Sequence, residues 1–144
     1  MSQTFMTLSA YETSAEDFFT KLIDAKIDLL VDVRLHNTNQ LCGFTKERDL
    51  AYFVKTIVGA AYAHDVDLAP TTDLLEPYLH HHIDFDEYAS GYKALIDSRG
   101  SLADFSTKYG QYQNIAILGT ATHKRRSHAE VLAELLTEKP KATH

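Results

Sequence analysis

A single cysteine, Cys42, is the whole thiol content of this 144-residue chain. That excludes an internal disulfide and every metal or cluster motif built on several cysteines, and it fits the reducing cytoplasm, where structural disulfides are rare. Long apolar runs are missing as well. No window reaches the roughly 18 apolar residues of a membrane-spanning helix. The opening Met1-Ser2-Gln3-Thr4-Phe5 has neither the basic segment nor the apolar core of a signal peptide. Positive charge is in deficit: 14 Lys and Arg against 20 Asp and Glu give a formal net charge of −6. A broad basic nucleic-acid-binding face is therefore not expected, and any anion site has to be local. No internal repeat or low-complexity tract is present. The expectation is a cytoplasmic protein without a membrane partner.

Against these absences stands a hydrophobic content of 44%, enough for one domain over residues 1–144 with a packed core. The core spans about residues 4–136, followed by a polar, frayed tail over 137–144. Leu29-Leu30-Val31-Asp32-Val33-Arg34 is the most informative stretch. It reads as a strand buried on both faces, interrupted by a carboxylate and closed by a guanidinium. Two residues apart on a strand, Asp32 and Arg34 share a face, and neither is cheap to bury unpaired.

Around this strand, residues 4–10 alternate as a first strand, and Ser14, three before Asp17, starts an amphipathic helix carrying Phe18, Leu22 and Ile23. Strand, helix and strand make a βαβ unit with parallel strands. A helix over 45–58 presents Leu50, Phe53, Val54 and Ile57 and ends at Gly59, and residues 60–64 form a third strand delivering His64. Thr72 caps a helix over 74–82; further helices run over 85–98 and 102–109. Residues 114–119 form a fourth strand. Ser127 and Glu130 make a capping box for a last helix whose inward residues are Val131, Leu132, Leu135 and Leu136. The fold class is α/β, a three-layer sandwich with a mostly parallel sheet of at least four strands between helices.

Such sheets bind ligands beyond the carboxyl ends of their strands. Tyr11, Glu12, His36, Asn39, His64, His123 and His128 all fall at strand exits, in the following loops or at the last helix start. The amide-rich loop over 35–45 is one site candidate. The segment Thr120-Ala121-Thr122-His123-Lys124-Arg125-Arg126 before a capped helix is another, because helix amides and nearby cations attract anions. Arg34 would grip a carboxylate or phosphate, with Asp32 as its orienter, or the two would form a purely structural pair. His80-His81-His82 cannot converge on one ion from a helix, so no metal or cofactor is expected.

In their order and spacing, the exit Tyr11-Glu12, Val31-Asp32-Val33-Arg34, Gly43-Phe44-Thr45-Lys46, Tyr62 with Leu68 six residues on, and the closing strand-loop-helix resemble the bacterial and archaeal Domain of Unknown Function 488. The resemblance covers roughly residues 4–136. It implies a fold and a place to look rather than a reaction. Members of that family typically carry a Cys and a Glu just after the last strand, then Cys-His-Arg opening the last helix. Here Gly119 stands for the first Cys, Ala121 for the Glu, and Ser127-His128-Ala129 for the triplet. Only His128 matches, so chemistry needing those thiols or that acid would be absent or altered.

The combined expectation is a pocket for an anionic small molecule, such as a nucleotide or nucleobase derivative. Its contacts would come from Tyr11, Asp32, Arg34, His36, Asn39, His64, Thr120, Thr122, Arg125, Arg126 and Ser127, and Glu12 and His128 would be the acid-base pair if there is turnover. The alternative is a non-catalytic module that binds a nucleic acid or a protein.

Overall fold

The computed structural model describes residues 3–36 and 43–142. Four strands, β1 (Thr4–Ser9), β2 (Leu29–Asp32), β3 (Ala61–His64) and β4 (Asn114–Gly119), make one sheet in the order β1-β4-β2-β3. Every neighbouring pair is parallel. The α/β class is as expected, and the sheet is wholly parallel. β1 and β2 are parallel but not adjacent: β4 lies between them, with Phe5 and Leu29 both in register with Ile115.

Both faces of the sheet are covered because its central strands are apolar on both sides. On one face, α1 (Ala15–Asp24) and α2 (Glu47–Phe53) bring Phe18, Leu22 and Leu50 onto Leu30, Ala116 and Leu118. On the other, α4 (Phe85–Arg99), α5 (Ser101–Tyr109) and α6 (His128–Ala142) set Tyr92, Ile96, Phe105 and Leu132 against Leu29, Val31, Ile115 and Ile117. The two-residue period of a strand thus sends alternate β2 residues into two separate cores. A shorter helix, α3 (Thr72–Leu79), packs on α4. Its Tyr78 ring stacks on Tyr88 with centroids 4.2 Å apart, and its Leu74 fills the space left by Gly91, where a Cβ would come within 2.6 Å.

Several boundaries differ from the sequence expectation for identifiable reasons. The helix expected over 45–58 is a 3-10 turn (Gly43–Thr45), then α2, then a π-helical segment (Val54–Val58) closed by Gly59 at φ 78°. The i→i+5 bonding of a π-helix widens the turn, which carries Ile57 off the buried face to 47% exposure. The cap of α3 is Thr71, whose hydroxyl accepts from Leu74 N at 3.2 Å, rather than Thr72, and the helix ends at Leu79. The capping box expected at α6 does not form: Ser127 Oγ accepts from Ala129 N at 3.1 Å, and Glu130 turns to Arg126 at 3.0 Å. α6 also continues to Ala142 where a frayed tail was expected. No helix among the described residues is long and apolar enough to cross a membrane.

Candidate functional site

The polypeptide leaves β2 through Val33 and Arg34, both fully or nearly fully buried. Arg34 Nε and Nη2 each donate to one oxygen of Asp32 at 2.8 Å, a bidentate fork that matches carboxylate geometry. Nη2 also donates to the Thr45 carbonyl at 2.5 Å. The Asp32 carboxylate accepts in addition from Arg34 N at 3.2 Å and from the Tyr62 hydroxyl at 2.6 Å. Burial alone pushes the Asp32 carboxyl up, but the hydrogen bonds and charge of Arg34, helped by Tyr62, outweigh it and hold the group below its usual range. The pair is therefore ionised, and Arg34 is fixed with Nε and Nη2 spent.

Past the end of the ladder, two imidazoles bond the two carbonyls of this exit. His128 Nε2 bonds Val33 O at 2.7 Å and His64 Nε2 bonds Arg34 O at 2.9 Å. A carbonyl only accepts, so each Nε2 carries its hydrogen. His128 Nδ1 then accepts from the Tyr88 hydroxyl at 3.3 Å. Burial lowers the His128 pKa to about 4, which keeps the ring neutral. His64 Nδ1 lies 3.8 Å from Glu47.

On the β1 side, the Ser9 hydroxyl donates to Ala121 O, and Ala10 N bonds Gly119 O at 3.0 Å. Glu12, in the left-handed region at φ 58°, receives His123 N at 2.6 Å and His123 Nδ1 at 2.5 Å. Those two bonds hold its carboxyl below the ordinary value. Glu12 is thus partnered by His123 rather than by His128.

Above these exits lies a cleft of about 160 Å³. Its polar lining comes from Tyr11, Arg34, His36, Thr120, Arg125 and His128, and its apolar lining from Leu35 and, on the α3 side, Pro70, Leu75 and Leu79. Six of the residues singled out from the sequence therefore meet in one place. No carboxylate is among its described lining residues. Arg34 is balanced by Asp32, but Arg125 has no ion-pair partner among the described residues. The α3 wall is fastened in position by the Tyr78 hydroxyl, which donates to Arg126 O at 2.8 Å.

The other expected contacts sit elsewhere. Asp32 and His64 lie behind Arg34 and position it. Arg126 turns away, paired with Glu130 and lying 4.1 Å over the Phe85 ring. Thr122 and Arg125 exchange backbone bonds at 2.8 and 3.2 Å, and the Thr122 hydroxyl accepts from Lys124 N at 3.2 Å. The Ser127 hydroxyl is buried, accepting from Thr120 N at 3.4 Å as well as from Ala129 N. The amides of Thr120, Thr122, His123, Lys124 and Arg125 are thus spent on acceptors within the protein. Asn39 and Cys42 lie outside the described residues. Sequence reasoning missed Pro70, Leu75 and Leu79, which carry no charged or polar group to mark them out. It also missed the orienting role of Tyr62, which stands out in the sequence only as part of the family resemblance.

Residues 14–136 match the sequence profile of the family described as "Domain of unknown function DUF488". The chain belongs to that family. Among curated proteins, this DUF488 chain is 41% identical over 71 residues to the uncharacterized proteins Mb3100c of Mycobacterium bovis and Rv3073c of Mycobacterium tuberculosis. The similarity covers 49% of this chain and 58% of theirs, so the chain matches little more than half of those relatives' length. No solved structure matches it. Three of the four positions that the sequence comparison marked as departures, 119, 127 and 129, adjoin one another. A Cβ built on Gly119 would lie against Ser127 Oγ and 2.7 Å from the Ala129 Cβ.

Proposed function

We propose that this DUF488 domain binds a small anionic molecule in the cleft at the carboxyl ends of β1, β2 and β4, with Arg34 and Arg125 as the anion contacts. The observation that carries the reading is the charge pattern of the lining: two guanidiniums and no carboxylate among its described residues, in a chain of net charge −6. Arg34 is held rigid by Asp32, Thr45 O and the His64 bond to its own carbonyl, so little side-chain entropy is lost when a ligand meets it. Arg125 supplies the uncompensated charge. The neutral, doubly bonded His128 and the His123-bound Glu12 act in this reading as supports of the cleft wall and loop.

Thermal shift at neutral pH tests the proposal, because a ligand that binds only the native state raises the melting temperature by mass action. Small organic anions and inorganic phosphate are expected to raise it for the wild type and not for Arg125→Ala. Equal shifts in both proteins, or none in either, would refute the reading. The rival, a nucleic-acid-binding module, requires oligonucleotide affinity that falls steeply with salt.

A further inference from the structure

The dimensions and lining of the cleft narrow the ligand class, an inference that rests on the anion reading above. We infer that the cleft takes a short aliphatic carboxylate, its head between Arg34 and Arg125 and its apolar body against Pro70, Leu75 and Leu79.

Three observations carry this. The first is size. The volume of about 160 Å³ falls below the roughly 300–1,000 Å³ of pockets for drug-sized ligands. It is close to the roughly 150 Å³ of an apolar cavity that holds benzene. A body of roughly five to eight non-hydrogen atoms fits such a space; a whole nucleotide does not.

The second is the donor set. Phosphate sites characteristically present a cradle of backbone N–H groups at a loop or helix start. Here the amides of Thr120, Thr122, His123, Lys124 and Arg125 are all bonded within the protein, to Ser127 Oγ, Arg125 O, Glu12, Thr122 Oγ1 and Thr122 O respectively. Side-chain nitrogen of the lining is open to a ligand: the Arg34 Nη1, which has no partner among the described residues, and the Arg125 guanidinium, which has no ion-pair partner among them. Two such groups suit the two oxygens of a carboxylate better than the three of a phosphoryl group.

The third is the apolar lining on the α3 side. Pro70, Leu75 and Leu79 offer no carboxylate or amide to a ribose or a base edge, so they reward an alkyl chain and leave a nucleoside's polar groups unpaired.

The test is calorimetric titration of the full chain with sodium acetate, sodium pentanoate, inorganic phosphate and AMP at matched ionic strength. Pentanoate is expected to bind at least tenfold tighter than acetate, phosphate or AMP. Arg125→Ala should weaken pentanoate at least tenfold. Leu75→Gln should bring the pentanoate-to-acetate ratio below threefold while leaving acetate unchanged; Leu79→Gln serves the same purpose if circular dichroism shows the first variant to be unfolded. If phosphate or AMP binds tightest, or if the ratio survives both leucine substitutions, the carboxylate assignment is overturned and the anion cleft stands. If no anion binds, or Arg125→Ala binds like the wild type, the anion reading itself is overturned.

Discussion

Arg34 and Asp32 form a bidentate pair at 2.8 Å with side chains 4% and 0% exposed, and the pair is completed by the Tyr62 hydroxyl at 2.6 Å. Removing one member of such a pair leaves the other charged and buried, which costs about 3–5 kcal/mol. Asp32→Asn is therefore expected to lower the urea midpoint severely. Tyr62→Phe removes the hydroxyl's bond to the charged carboxylate and should cost about 1.5 kcal/mol. The double variant Asp32→Leu/Arg34→Met should be more stable than Asp32→Asn alone, because the uncompensated charge is gone. A cycle in which the costs simply add would show that the pair does not couple.

Neighbouring arginines in the sequence have separate roles in the fold. Arg126 is paired with Glu130 at 3.0 Å and lies over Phe85, so Arg126→Ala should cost about 1 kcal/mol from an exposed i, i+4 pair and a cation–π contact. Arg125 has no ion-pair partner among the described residues, and Arg125→Ala should change stability by less than about 0.5 kcal/mol. Urea denaturation of the two variants reads the difference directly. A larger loss for Arg125→Ala would reveal a structural role and weaken its assignment as a ligand contact.

This pair also shows where sequence reasoning stops. Asp32 and Arg34 were legible because two charges inside an apolar run demand a partner, and their two-residue spacing supplies one. The parallel sheet was legible from the alternation of strand and helix patterns. Which of Lys124, Arg125 and Arg126 lines a cleft depends on the tight turn closed between Thr122 and Arg125, a backbone event with no side-chain periodicity. That same turn consumes the amides of Thr122 and Arg125. The π-helical segment left no mark in the apolar spacing, so Ile57 read as buried. Leu75 and Leu79 gave no signal, because helical spacing does not distinguish a wall that faces a cleft from one that faces another helix.

His128 makes the stability depend on pH in a defined window. Its pKa is about 4 in the folded protein against an ordinary 6.5, so the unfolded chain takes up a proton first. Stability is full above about pH 6.5 and declines as the pH falls toward 4. At about 1.4 kcal/mol per pH unit, the whole span costs about 3 kcal/mol. Asp32 and Glu12 are shifted in the same direction, but from lower ordinary values of 3.8 and 4.5, so their contributions persist through most of this window and are lost below it. His128→Asn should flatten the profile between pH 6.5 and 4.5. Urea midpoints at half-unit intervals give the slope, and an unchanged slope in the variant would assign it to another group.

Position 119 tests whether the departures near the last strand are coupled. A methyl group on Gly119 would approach the Ala129 Cβ to 2.7 Å and press on Ser127 Oγ, and both neighbours are buried, at 2% and 3% exposure. Gly119→Ala is thus an overpacking substitution, expected to cost about 1–3 kcal/mol. Ala129→Gly removes one of the two obstructions, at the price of about 1 kcal/mol of helix propensity on its own. Made on the Gly119→Ala background it should cost clearly less than that, because it also relieves the clash, and the non-additivity measures the contact. A Gly119→Ala variant as stable as the wild type would mean that the β4 exit has slack to accept a side chain, and that the small residues at 119, 127 and 129 are independent of one another.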